Sequence, residues 1–293
     1  MALYINTNVY SLNSQRKLAN VTGRLATSFE RLSSGLRINR SKDDAAGLSI
    51  SNRMTAQIRG LNQAVRNTND AISMVQVAEG ALDETTNSLQ RIRELAVQAA
   101  SDMMMSGDRE DIWNEIEQLV TEIGRVSSNT KFNTMQMLGE STGSYEIKFQ
   151  IGENAYQTYD LTVMNAGASA LGVHASNIGT AFSMGGGSAA ATGMTMASAQ
   201  VRATSVLSMV DSALDSVSDI RALLGASQSR FESIVANLSN VSENTSAARS
   251  RILDADIASE TSTLTRNSII QQASTAILAQ ANQQPQLALQ LLG

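Results

Sequence analysis

Residues 206–252 read VLSMVDSALDSVSDIRALLGASQSRFESIVANLSNVSENTSAARSRI, and one seam runs through all of them. Val206, Val210, Ala213, Val217, Ile220, Leu224, Ser227, Phe231, Ile234, Leu238, Val241, Thr245, Ala248 and Ile252 fall at alternating steps of four and three. An unbroken 3.5-residue repeat specifies a long helix whose narrow stripe is buried against other helices. At 1.5 Å rise per residue the seam alone is roughly 70 Å long, beyond the helices of a compact globule. The stretch predicts a helical rod.

A second seam lies upstream, through Met54, Ile58, Leu61, Val65, Ile72, Val75, Leu82, Leu89, Ile92, Ala96 and Ala99. Its spacing of three, four or seven drifts by one position near Glu79, as an almost straight 3.6-period helix does. A shorter helix is predicted from Asp108 to about Val126, with Ile112, Ile116, Leu119, Ile123 and Val126 on one face. Asp108 is placed to cap its first turn, and Ser101 to Gly107 reads as the connection. Before the second seam, Ser41 and Asp44 have capping-box spacing, with Asp in place of the usual Glu. Adjacent Asp43 and Asp44 admit a metal or acid/base reading, but acids in a first helical turn are more often there because they interact favourably with the helix dipole.

The period changes to two at Tyr145, Ile147, Phe149 and Ile151, breaks at Gly152-Glu153-Asn154-Ala155, and resumes at Tyr159, Leu161 and Val163. This is the pattern of a β-hairpin. From Asn165 to Ala199 the residues become small, with a glycine cluster at 184–193. No Gly-Lys-Ser/Thr follows, so a solvent-facing loop is expected rather than a phosphate cradle.

Apolar spacing also reaches both chain ends. Ile5, Val9, Leu12, Leu18, Val21, Leu25, Phe29, Leu32 and Leu36 open the chain; Leu253, Ile257, Leu264, Ile270, Ala273, Ile277, Ala281, Leu287, Leu289, Leu291 and Leu292 close it. Termini are normally polar and frayed. Two amphipathic ends are expected to pair with each other and to offer their remaining apolar surface to neighbouring molecules. The fold class that follows is mainly α, a long antiparallel helical bundle or coiled coil with paired terminal helices and a small β-hairpin region.

Composition narrows the function classes. The 293 residues include one Pro, no Cys, one Trp, one His and 4% aromatics, which suits long helices better than an enzyme core. Lys+Arg number 22 against Asp+Glu 27 and form no basic stripe, so no nucleic-acid partner is expected. Absent cysteine removes disulfides and thiolate metal sites. No apolar run approaches a membrane span, and Met1 to Tyr10 lacks the basic n-region of a cleavable secretory signal. A metallopeptidase needs two histidines one helical turn apart with a glutamate, whereas this chain has only His174. Hydroxyls and acids are so frequent that a triad using His174 has no distinctive signal. No catalytic, metal or cofactor residue is therefore assigned, and no cofactor is expected.

At its ends the chain resembles bacterial flagellin, the subunit of the flagellar filament. The resemblance is carried by Ile5-Asn6-Thr7-Asn8, by Arg31-Leu32-Ser33-Ser34-Gly35-Leu36-Arg37-Ile38-Asn39 and by Lys42-Asp43-Asp44-Ala45-Ala46-Gly47-Leu48-Ser49-Ile50. It continues in Gln90-Arg91-Ile92-Arg93-Glu94-Leu95-Ala96-Val97-Gln98. It returns in Ser250-Arg251-Ile252-Leu253-Asp254-Ala255-Asp256-Ile257-Ala258 and Leu278-Ala279-Gln280-Ala281-Asn282-Gln283-Gln284-Pro285-Gln286. It covers roughly the first 165 and last 95 residues and departs in the small-residue middle, so the chain looks like a short form with a much reduced central region.

The resemblance implies an inner terminal-helix domain, 1–42 with 254–293, forming the filament core. Around it would lie a helical rod domain with a β-hairpin, 43–164 with 200–253, and a short flexible surface insertion, 165–199, would replace outer domains. Polymerisation and core packing would fall to Ile5, Val9, Leu12, Leu32, Leu36, Leu253, Ile257, Leu264, Ile277, Leu287, Leu291 and Leu292. Partners implied are further copies in a helical homopolymer, a secretion chaperone contacting Leu287, Leu289, Leu291 and Leu292, the flagellar export apparatus, and cap and junction proteins. A vertebrate innate-immune flagellin receptor would touch Arg91, Leu95 and Glu115, which equally read as helix-surface charges and a seam leucine. The implied location is the extracellular filament, reached without a cleaved signal. A hook–filament junction protein and a coiled-coil secreted tip protein stay open as alternatives at this point.

Overall fold

The computed structural model describes residues 7–101, 103–139, 145–174, 178 and 196–292, with Ser106, Tyr145 and residues 196–202 and 284–292 described by backbone alone. In chain order these form α1 (Val9–Ser34), α2 (Ala45–Ala99), α3 (Ser106–Asn129), β1 (Lys131–Phe132), β2 (Met135–Gln136), β3 (Tyr145–Gln150), β4 (Thr158–Val163), α4 (Met196–Leu253) and α5 (Ile257–Leu292). The chain divides into two compact units: Met1–Arg59 with Val241–Gly293, and Gly60–Asn240. The Met184–Gly193 glycine cluster lies outside the described residues.

The Gly60–Asn240 unit holds the main hydrophobic core. From α4, Val206, Val210, Ala213, Val217, Ile220, Leu224, Ser227 and Phe231 are all buried, as the 3.5 repeat requires. In α2 one buried stripe runs through Leu61, Ala64, Thr68, Ala71, Val75, Ala78, Leu82, Thr85, Leu89, Ile92, Ala96 and Ala99, with Ser51, Met74 and Leu95 buried as well. The stripe keeps its three-four alternation past Glu79, so the drift expected there does not occur, and Met74 and Leu95 widen it at two places. Thr68 and Thr85 occupy seam positions because their hydroxyls donate to the Ala64 and Ala81 carbonyls at 2.8 and 3.0 Å, which satisfies them within the helix. Ion pairs Arg93–Asp211 and Arg221–Asp83, both 2.7 Å, set α2 and α4 antiparallel.

α3 returns along α2, as shown by Arg91–Glu115 at 2.9 Å and by Arg109 donating to the Ala99 and Ser101 carbonyls. Its buried face is Ile112, Ile116, Val120, Ile123 and Ser127, with Leu119 and Val126 on the flank. Asp108 stands at the third residue of the helix and reaches back to accept from the Met105 N–H at 3.0 Å. The expected hairpin forms with Tyr145 opposite Val163 and Gln150 opposite Thr158. Phe149 and Tyr159 both meet Phe231 edge-on, at 5.8 and 4.8 Å between ring centroids, and the Tyr159 hydroxyl lies 3.1 Å from Ser227 Oγ. This explains why the α4 seam carries Ser at 227. The small strand pair β1–β2 was not expected from alternation, since two residues carry no period.

The segment expected as a surface insertion begins differently: Ala166, Ala168, Leu171, Val173 and Ile178 belong to the core. Small residues there let the backbone lie close against neighbouring side chains, so small does not mean solvent-facing.

In the other unit, α1 packs along α5. The two run antiparallel, since Asn8 meets Ala281 at one end and Arg31 meets Glu260 at the other. Pro285, the single proline, sits inside α5 and supplies no N–H to the Ala281 carbonyl four residues earlier. The Asn8 side-chain amide donates to that carbonyl at 2.7 Å while its oxygen caps α1 by accepting from the Ser11 N–H at 3.1 Å. One residue thus closes two helix defects. Gly35, at φ +70°, ends α1 in the left-handed conformation that favours glycine. Beside it the two interhelical breaks pair: Leu36 bridges Asp254, Arg37 N–H donates to the Leu253 carbonyl, and Ala255 N–H donates to the Gly35 carbonyl.

Candidate functional site

The α1–α5 pair buries the wrong residues for a self-sufficient core. Ser11, Ser28, Asn267 and Ala281 are buried between or beside these helices. Val9 is 58% exposed, Leu12 55%, Ile257 51% and Ile277 55%, and Tyr10, Phe29, Ile269 and Ile270 are exposed with them. Leu18, Val21, Leu25, Leu32, Leu264 and Leu278 are half-buried, so the helices pair through small, polar and partly covered apolar side chains while the other bulky ones stay exposed. Eight large apolar side chains exposed on one helix pair are candidates for contact with another molecule.

The expected polymerisation residues divide accordingly. Val9, Leu12, Ile257 and Ile277 are exposed, while Leu32, Leu36, Leu253 and Leu264 are half-buried. Ile5 and the side chains of Leu287, Leu289, Leu291 and Leu292 lie outside the described residues. Tyr10 and Ile269 join the exposed set without having been singled out, because they fall between the spaced positions.

The entry to α2 replaces the expected Ser41–Asp44 box. Asp44 is itself the residue before the helix and accepts from the Gly47 N–H at 2.9 Å. A Cβ on Gly47 would come within 2.5 Å of Asp44 Oδ2 and 2.7 Å of Ile38 Cδ1, so any larger residue there would have to push those two side-chain ends aside. Asp43 accepts from the Arg40 and Asn39 N–H groups at 3.0 and 3.3 Å. The Arg40 N–H chiefly holds its carboxyl below the ordinary carboxylate value. Both acids serve backbone donors. Among the described residues no group of three or more metal-ligating side chains converges, and no helix is long and apolar enough to cross a membrane.

Arg91 and Glu115 form an exposed pair, and hydrogen bonds from Arg91 to Glu115 and then to Glu94 hold its guanidinium above the usual value. Leu95 is 2% exposed and packs in the core, so a protein docking on Arg91 and Glu115 does not reach it in this conformation.

The descriptions of two family models match the chain: the bacterial flagellin N-terminal helical region over residues 5–142, and the bacterial flagellin C-terminal helical region over 207–292. The chain belongs to the bacterial flagellin family. It is 44% identical to a flagellin of Halalkalibacterium halodurans, over 99% of this chain and 100% of that protein. It is 43% identical to a flagellin of Bacillus subtilis, over 98% of this chain and 99% of that one. A crystal structure of Bacillus cereus flagellin aligns with 63% of this chain and 94% of its own, at 25% identity and a TM-score of 0.45. As a flagellin, the chain is a structural subunit of the bacterial flagellar filament, and its family is one of structural proteins rather than enzymes. The exposed apolar faces of α1 and α5 lie within the matched flagellin regions.

Proposed function

We propose that copies of this flagellin join through the apolar face that α1 and α5 leave open, with residues 1–42 and 254–293 forming the filament core. The observation that carries this is the incomplete burial of the helix pair: Ser11, Ser28 and Asn267 are inside, Leu18, Val21, Leu25 and Leu264 are only half-buried, and Val9, Leu12, Ile257 and Ile277 are outside. Covering seven or eight half-exposed large apolar side chains contributes on the order of 5 to 10 kcal/mol gross per subunit. Each copy presents one surface to a different surface of the next, and such heterologous contacts propagate as an open helix. Residues 43–164 and 200–253 would build the surrounding shell, and 165–199 the outer surface. The test is regrowth of filaments from heat-dissociated protein in a high-sulfate buffer, followed by electron microscopy. Ile277→Asp and a truncation ending at Asp256 are expected to stay monomeric while wild type forms long filaments. Filaments from both variants would refute the reading.

By the same family relationship, the C-terminal stretch Leu287, Leu289, Leu291 and Leu292 would be covered by a secretion chaperone before export through the flagellum, with cap and junction proteins meeting the ends of the filament. The exposed Arg91–Glu115 pair is the surface offered to a vertebrate innate-immune flagellin receptor. Arg91→Asp is expected to weaken receptor activation by the monomer, and unchanged activation would remove that assignment.

A further inference from the structure

Sulfur is unevenly distributed along this chain. Apart from Met1, all of the 13 methionines lie within residues 54–209, and α1 and α5 contain none. With no cysteine present, these thioethers are the only sulfur atoms of the protein. The exposed apolar side chains of the terminal helix pair, among them Val9, Leu12, Phe29, Ile257 and Ile277, are aliphatic or aromatic throughout. That face offers an oxidant nothing to attack at sulfur.

The most exposed of the described methionines stand together. Met103 is 92% exposed and Met105 77%, against 44% for Met135 and 41% for Met164. Met74 and Met137 are buried, and Met104, between the two exposed ones, is half-buried against the core. These three consecutive residues form the turn from α2 into α3, and polar groups hold it closed. Arg109 donates to the Ala99 and Ser101 carbonyls at 3.2 and 2.9 Å, the Met104 N–H donates to the Ser101 carbonyl at 3.3 Å, and Asp108 accepts from the Met105 N–H at 3.0 Å. An oxygen added to the sulfur of Met103 or Met105 is accommodated by water, whereas one added to Met104 has to enter the edge of the core.

We propose that Met103 and Met105 are an oxidant-receiving site of this flagellin, where peroxide is reduced while the core and the apolar assembly face are left unchanged. In each event the thioether sulfur attacks one peroxide oxygen, and an S–O bond forms as the O–O bond breaks. The sulfur gives up two electrons and becomes a sulfoxide; the second oxygen takes the proton of the transferred hydroxyl and leaves as water. That assembly survives the modification rests on the apolar-face reading above, since it follows from copies meeting through methionine-free helices. The location of the site does not depend on it.

The experiment treats the full-length monomer with hydrogen peroxide and follows each methionine by peptide mass spectrometry. Met103 and Met105 are expected to oxidise at least about tenfold faster than Met74, Met104 and Met137, which react only when the structure opens. Protein oxidised at both exposed positions should melt as untreated protein does, followed by circular dichroism. A partly oxidised sample is then regrown into filaments in high-sulfate buffer. The sulfoxide content at Met103 and Met105 is compared between the filament pellet and the monomer left in solution, and the two are expected to agree within about twofold, because the modification does not distinguish free from assembled subunits. Rates at Met103 and Met105 equal to those of the buried methionines would overturn the site. A melting transition lowered by their oxidation, or a large sulfoxide excess in the unassembled monomer, would overturn the claim that fold and assembly are spared. Ile277→Asp, regrown in parallel, separates the two readings: normal filaments from that variant would remove the apolar-face assignment and leave the oxidation rates standing.

Discussion

The Gly60–Asn240 unit buries Leu82, Leu89, Ile92, Ile116, Ile123 and Phe231 completely, while the unit containing both termini buries Ser11, Ser28 and Asn267 and turns Leu12, Phe29 and Ile277 outward. Both are helical, and both carry apolar residues at helical spacing. The difference is where the partner for the apolar stripe resides. In the first unit it is on the same chain, across a seam of α2, α3 and α4 and under a β-hairpin. In the second, on the assembly reading proposed above, part of it is on another molecule: Leu18, Val21, Leu25, Leu264 and Leu278 are only half-buried beside the small and hydrogen-bonding groups, and Leu12 and Ile277 stay exposed.

The largest effect expected to sharpen this contrast is Phe231→Ala. Its ring is fully buried against Phe149 and Tyr159, so removal should destabilise the monomer by about 3–5 kcal/mol in urea unfolding. Ile277→Ala in the same assay should stay within about 0.5 kcal/mol of wild type, because its side chain is already half in water. A large loss at Ile277 would break the comparison, since the terminal unit would then be a core in its own right.

A smaller effect is expected at the Asn8 clamp. Asn8→Ala removes both the α1 cap and the donor to the carbonyl orphaned by Pro285, and should weaken the α1–α5 pair by about 1–2 kcal/mol, read as faster amide exchange in α1. Pro285→Ala restores the helical N–H, so in that background the Asn8→Ala loss should shrink by roughly 1 kcal/mol in a double-mutant cycle. Equal losses in both backgrounds would mean that Asn8 acts only as a cap.

The smallest effect concerns the turn before α2. Asp43 has a depressed folded pKa, so its contribution is present above the ordinary carboxylate range and is lost as pH falls through the lower, folded value. The Asn39 and Arg40 amide shifts, followed by NMR, should therefore titrate together with a midpoint below that of an unperturbed aspartate. A midpoint at or above the ordinary value would contradict the two hydrogen bonds.

Legibility differed between regions for a physical reason. The α4 seam could be read through to Phe231 because all of its positions up to there except Ala213 and Ser227 carry branched aliphatic or aromatic groups. In α2 the apparent drift near Glu79 arose from following Val65 and Ile72, which flank the interface, while Ala64, Thr68, Ala71, Ala78 and Thr85 form it. Close helix contacts prefer small residues, and a threonine that bonds its own helix hides a polar group at little cost. Apolar size therefore misreports such seams. The same error placed Ala166, Ala168 and Val173 in a solvent-facing loop. Capping was legible as a signal near residues 41–44 and 108, but Asp44 rather than Ser41 caps α2, since it is the Asp44 carboxylate that accepts from the first-turn Gly47 N–H.

By itself the sequence determined the long helices, the hairpin, the pairing of the termini and membership of the flagellin family, since periodicity and motif order are local and survive without coordinates. Tertiary structure alone decided which face of each terminal helix is buried, that Leu95 is internal, and that Asn8 answers Pro285. Those outcomes depend on groups brought together from distant parts of the chain. No local period records which of two amphipathic faces finds its partner at home and which must wait for a neighbour.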